Sequence, residues 1–176
     1  MPRYVALLRG INVGRAKAIP MAQLASVFSA LGFTDVATVL RSGNVVFGSD
    51  AALPHDTPRR IEAAVLAATG VQSSVLLLDS AAFSAILDAS PLGGIATDAS
   101  KTFVTFVTSM PTPIELPDAA RLAPEILAVG SAAVYQWMPD GSLQTRVPRS
   151  FWRQFDAPVT ARNWNTVRKL RVLLGD

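Results

Sequence analysis

The chain has 176 residues, 50% of them hydrophobic and 16% charged, with 16 Lys and Arg against 13 Asp and Glu. That composition excludes a disordered or fibrous protein and provides for one compact domain or two small ones. With no Cys and one His, His55, there is no disulfide framework, no Cys nucleophile and no Cys- or His-pair metal site, so neither a metal nor a cofactor is expected.

Apolar runs such as residues 75–78 break far short of the ~20 residues that a membrane helix needs, and the first residues lack a secretory signal pattern. A cytoplasmic protein with no membrane partner is expected. Charge is segregated along the chain. Residues 1–48 carry five basic side chains against Asp35 alone, residues 49–145 four basic against ten acidic, and residues 146–176 seven basic against two acidic. Two basic ends flank an acidic middle, which suits an anion site if the ends meet on one face and means nothing if they lie on opposite surfaces.

In chain order, residues 4–9 (YVALLR) read as a short apolar strand, followed by an aperiodic polar loop. Pro20 suits the first helical position, Leu24, Val27, Phe28 and Leu31 share one face, and Gly32 stops the helix. Residues 36–41 and 45–47 flank Ser42-Gly43-Asn44 and predict a hairpin. A second helix starts at Pro58 with Thr57 as its cap, buries Ile61, Ala64, Val65 and Ala68, and ends at Gly70 before a strand over 73–78. The resulting order, β-α-β-β-α-β, is that of a ferredoxin-like subdomain over residues 1–78.

The remainder, residues 79–176, predicts a second, smaller α+β subdomain packed with the first as one unit. Its expected elements are a helix over 80–89, a strand over 102–108, a short helix over 118–122, a hairpin of 126–129 and 132–137, and a closing helix over 162–174. Prolines 111, 113, 117, 124, 139, 148 and 158 punctuate this half. No internal sequence repeat is visible.

Topology places a candidate site. In the β-α-β-β-α-β order the first two strands run the same way, so the loop after the first and the hairpin after the second emerge at one end of the sheet. The loop carries Arg9, Asn12, Arg15 and Lys17 and leads into a helix N-terminus, where unpaired N–H groups favour an anion. The hairpin carries Arg41, Ser42 and Asn44. Guanidinium forks match phosphate or carboxylate oxygens, and Asn and Ser add neutral donors. The alternative is that the glycines serve turn geometry and the cations are solvated. A third candidate segment, Arg162-Asn163-Trp164-Asn165, opens the predicted closing helix, with Thr160 or Asn163 as its cap. Gly10-x3-Gly14 fits neither the P-loop nor the dinucleotide fingerprint.

The strings Arg9-Gly10-Ile11-Asn12-Val13-Gly14, Ile19-Pro20-Met21, Ser42-Gly43-Asn44-Val45-Val46-Phe47 and Arg162-Asn163-Trp164-Asn165-Thr166 occur in an order that resembles the bacterial domain-of-unknown-function 1697 family. Lys17 matches that family's basic position ahead of Ile-Pro-Met. The resemblance covers nearly the whole chain and implies a two-subdomain α+β fold with a ferredoxin-like first half. It implies no known activity.

Three functions remain open. The first is a cleft for a phosphate-bearing ligand, either a small phosphorylated molecule or a nucleic-acid backbone; the third strand offers Phe47 alone for stacking, which argues against base-specific reading. The second is a phosphoryl or acyl-phosphate hydrolase or transferase, with Arg9 or Arg15 stabilising charge and Asn12 or Asn44 positioning water, although no general base stands out. The third is an interaction module that meets a protein partner through Phe151, Trp152 and Phe155. Binding ranks above catalysis, and whether the protein is an enzyme stays open.

Overall fold

The apolar run at the start of the chain becomes strand β1, Arg3–Arg9, in which Val5, Ala6 and Leu7 are fully buried. The computed structural model describes residues 1–12 and 17–175, and Arg15 lies outside them. Burial on both faces explains the unbroken hydrophobicity of β1: it is an interior strand of a four-stranded sheet in the order β2-β3-β1-β4. Its partners are β2, Thr34–Val39; β3, Asn44–Gly48; and β4, Ser74–Asp79, and every neighbouring pair is antiparallel.

Helices α1, Met21–Ala30, and α2, Thr57–Thr69, cover one face of this sheet. Leu24, Val27 and Phe28 of α1 and Ile61 and Val65 of α2 meet Ala6, Leu8, Val45, Phe47 and Val75 in one core. Each of these Val, Leu, Ile and Phe side chains contributes ~1.5–3 kcal/mol by leaving water. The i, i+3, i+4 spacing of the first helix is therefore what its sequence predicts. Thr57 is the first residue of α2 rather than its cap, which is Asp56. Pro58 is tolerated in that first turn because an N–H there has no intrahelical partner. Gly70 closes α2 in a left-handed conformation and donates to Leu66 O.

After α3, Ser80–Asp88, the chain enters a second four-stranded sheet, in the order β6-β7-β5-β8. The elements are β5, Thr102–Phe106; α4, Ala119–Leu122; β6, Ile126–Val129; β7, Ala133–Trp137; α5, Arg149–Trp152; β8, Thr160–Asn163; and α6, Trp164–Leu174. Sequence reading expects neither α5 nor β8, and it begins the last helix at Arg162, inside what is a strand. The reason is local: TARN contains no apolar run, and its buried positions are Thr160 and Arg162. Pairing with β5 holds this segment extended, because β5 would otherwise leave a row of backbone groups unbonded.

With β8 in place, the second half reads β5-α4-β6-β7-α5-β8 and repeats the strand order of the first half position for position. A helix follows each set, α3 and α6. The fold class is α+β, as the sequence indicates, and the duplication is visible only in three dimensions. By proximity the chain forms two compact units, Met1–Ser84 with Lys169–Asp176, and Ala85–Arg168. Among the described residues no helix is long and apolar enough to cross a membrane.

Candidate functional site

Because β1 and β2 are both antiparallel to β3, they point the same way, and the segments that leave them share one edge of the first sheet. The expected convergence is observed at Asn12. Its main-chain N–H donates to Lys17 O (2.7 Å), its Nδ2 donates to Arg41 O (2.6 Å), and its Oδ1 accepts from Ile19 N (2.8 Å). One side chain thus closes the β1–α1 loop on itself and ties it to the hairpin. Asn12 holds φ 54°, a left-handed conformation that Asn tolerates better than most residues.

Gly43 completes the junction. Its carbonyl accepts from Leu8 N (2.7 Å), and a Cβ on it would lie 2.9 Å from both Leu8 Cβ and Leu8 O. At φ +80° and with no free space, only glycine fits without displacing β1. Asn44, fully buried, donates through Nδ2 to Val39 O and to Ser42 Oγ, each at 2.9 Å. Asn12 and Asn44 therefore act as braces, and their amides are spent on the protein's own backbone and on Ser42.

The cations behave differently. Arg9, Lys17 and Arg41 are exposed, and among the described residues none has a carboxylate within ion-pair distance. Arg41 and Lys17 each give a main-chain carbonyl to Asn12, and Arg9 is the last residue of β1, three positions before it. The first turn of α1 carries no acidic residue, and Pro20 gives it no side-chain cap. Leu40 was not legible as part of this edge: it stands 51% exposed beside Arg41 with φ 57°, a strained conformation for a bulky residue. No sequence signal marks it, since Leu has no turn preference.

The remaining candidates belong to the second unit. Arg162 lies on β8, opposite Val104 of β5, and its Nη1 donates to Thr160 Oγ1 and Ala161 O, both at 2.8 Å. Burial lowers its pKa from the ordinary arginine value to about 10. Asn163 accepts from Thr166 N (3.0 Å) and Thr166 Oγ1 (2.8 Å), which is the capping role open to it in the sequence. Trp164 is half-buried and its main-chain N–H donates to Ala99 O, while Asn165 is exposed. Phe151 and Phe155 are buried with Trp152 in their own unit's aromatic cluster. His55 is exposed, and among the described residues no group of three His, Cys, Asp or Glu could hold a metal ion.

Comparison with known proteins adds a family and a fold. The family model described as "Protein of unknown function (DUF1697)" matches residues 1–135. The chain is similar in structure to the conserved bacterial protein SP0830 from Streptococcus pneumoniae, with a TM-score of 0.67 and 25% sequence identity over 98% of each chain. No curated protein matches the chain. Three of the four quoted strings and the β-α-β-β-α-β half that carries them lie inside the matched residues, and the chain belongs to the DUF1697 family of proteins of unknown function.

Proposed function

We propose that the edge of the first sheet built around Asn12 binds a phosphate-bearing anion. The observation that carries this reading is the set of three exposed cations around Asn12, Lys17 and Arg41 bonded to it through their main chains and Arg9 at the end of β1, with no carboxylate at ion-pair distance among the described residues. Like charges brought to one edge repel, and an anion relieves that repulsion while the guanidinium forks supply paired donors. The uncapped first turn of α1 adds backbone N–H groups and the positive end of a helix dipole. Left-handed Asn12 and Leu40 and the close-packed Gly43 favour a stiff edge, which lowers the ordering cost of holding a small ligand.

Binding without turnover is the preferred form of this function. An enzyme of the hydrolase type would use Asn12 or Asn44 to position water, and both amides are engaged internally. A docking role for Phe151 and Phe155 sits poorly with their burial at 2% and 9% exposure.

The test is thermal unfolding at low salt with orthophosphate, nucleotides, sugar phosphates, acetyl phosphate and short single-stranded DNA and RNA. A ligand bound only by the native state adds ~2.7 kcal/mol at a hundred times its dissociation constant. The expected result is a shift with one phosphate class that is lost in Lys17→Ala and Arg41→Ala. A salt-sensitive shift with every polynucleotide would assign the edge to nucleic-acid backbones. No shift with any phosphate overturns the reading.

A further inference from the structure

In the second unit the helix layer is reduced to single turns, and part of the sheet face is left open beside the end of α5. A cavity of about 250 Å³ lies there, lined by Phe103 and Thr105 of β5, Gln136 of β7, and Met138, Thr145 and Trp152 among others. Its lining holds no charged side chain.

Two polar side chains in this lining are almost wholly buried, Thr105 at 2% and Gln136 at 5% exposure. Gln136 Nε2 donates to Glu125 Oε1 (3.1 Å). Glu125, itself buried, also accepts from Thr145 Oγ1 (2.8 Å) and, through Oε2, from Arg146 N (2.6 Å). A carboxylate only accepts, so this contact fixes the Gln136 amide: nitrogen faces Glu125 and the carbonyl oxygen is left for the cavity. Among the described residues no donor meets that oxygen, and nothing meets the Thr105 hydroxyl. Both groups lie on the sheet face that carries the aromatic core, because Thr105 pairs with Val134 and Gln136 with Phe103, which makes them diagonal neighbours.

The Gln136 carbonyl and the Thr105 hydroxyl, on two almost wholly buried side chains that line the cavity, have no protein partner among the described residues and are left to whatever fills it. We propose that this cavity is a binding site for a small uncharged planar heterocycle that carries an N–H beside a C=O, the lactam edge found on pyrimidine bases. The N–H donates to Gln136 Oε1, the Thr105 hydroxyl donates to the C=O, and the ring packs against Trp152 and Phe103. At about 250 Å³ the cavity falls below the ~300–1,000 Å³ of pockets for drug-sized ligands, which suits a single ring. No residue of the 9–12 segment or the 40–43 turn takes part.

The test is a titration of the full chain with 2-pyridone, followed by the indole N–H resonance of Trp152 and the side-chain amide of Gln136. Its control is 2-pyranone, the lactone of the same shape in which ring oxygen replaces N–H. Both resonances are expected to move saturably with 2-pyridone, with 2-pyranone ~tenfold weaker or worse because it faces Gln136 Oε1 with a second acceptor. Thr105→Val, which keeps the shape and removes the hydroxyl, is expected to weaken 2-pyridone ~fivefold or more. Equal affinity for lactam and lactone overturns the proposal, as does an absent shift or one centred on other residues. The lactam–lactone comparison uses the unaltered protein, so it decides the matter even if Thr105→Val folds poorly.

Discussion

The two units arrange four antiparallel strands in the same order and fill the helix side of the sheet in different ways. In the first, helices of 10 and 13 residues lie over a face made of Tyr4, Ala6, Leu8, Val45, Phe47, Val75 and Leu77, all apolar or aromatic. In the second, the corresponding helices have four residues each, and the face they shelter includes Thr105 and Gln136. Proline accounts for much of the contrast. Pro117 precedes the Asp118 cap of α4 and Pro124 follows its C-cap, while Pro148 caps α5 and Pro158 stands between α5 and β8. Proline removes a donor and clashes with the preceding turn, so neither helix can extend far. The difference teaches that this strand order tolerates a thin helix layer. Where the layer is thick, the sheet face is sealed by apolar packing; where it is thin, part of the sheet face lines a cavity.

The largest effect expected from this contrast is at Phe151. It is the largest fully buried side chain of the cluster it forms with Leu122, Val134, Val147 and Phe155, with ring centres 4.9 Å from Trp152 and 5.8 Å from Phe155. Phe151→Ala is expected to cost ~3–5 kcal/mol in denaturant unfolding. Hydrogen exchange should show protection lost along β5, β7 and β8 and kept along β1, β3 and β4; equal loss in both sheets would break the distinction between the two cores. Gly43→Ala should come next, at ~1–3 kcal/mol, because it combines a positive φ with a Cβ 2.9 Å from Leu8. Its readout is a lower unfolding temperature together with loss of phosphate binding, and an unchanged protein would show that the hairpin does not need that close approach.

Asn12→Ala removes two side-chain hydrogen bonds and is expected to cost ~1–2 kcal/mol. If Asn12 organises the cations, this variant loses phosphate affinity although the residue itself contacts no ligand; unchanged affinity would mean that the loop and hairpin hold their places without it. The smallest effect concerns Asp98 in the second unit. Hydrogen bonds from the Ser100 hydroxyl and then the Ser100 N–H lower its pKa below the ordinary 3.8. The carboxylate form is favoured in the native state, so this contribution is present above pH 3.8 and is lost as pH falls through the lower folded value. Carboxyl titration followed by NMR should place Asp98 below 3.8 and bring it back toward that value in Ser100→Ala.

Most of the fold was legible where a pattern is local. The stripe Leu24, Val27, Phe28 identified α1, the apolar runs flanking Ser42-Gly43-Asn44 identified the first hairpin, and the short helix expected over 118–122 is α4, whose Asp118 N-cap accepts from Ala120 N. β8 was not legible, because what makes Thr160–Asn163 a strand is the unpaired edge of β5, more than fifty residues away in the chain. Without β8 the duplication of the strand order could not be seen either. At the candidate site, topology correctly brought the β1–α1 loop to the hairpin, but residue type did not distinguish bracing from projection. Asn12 and Asn44 read as ligand donors in the sequence and are internal braces in the structure, whereas Arg9, Lys17 and Arg41 keep their charges outward. Gln136 and Thr105 gave no signal, since a buried polar residue on a strand is ordinary until its partners are known.

The most direct test of the anion edge is a titration of the amide-resolved spectrum with pyrophosphate at low salt. The account predicts that the amides of Gly10, Lys17, Arg41, Ser42 and Gly43 move together along one saturable curve, and that Lys17→Ala with Arg41→Ala abolishes the movement while leaving the rest of the spectrum in place. Movement elsewhere, or none at those amides up to saturating pyrophosphate, would contradict it.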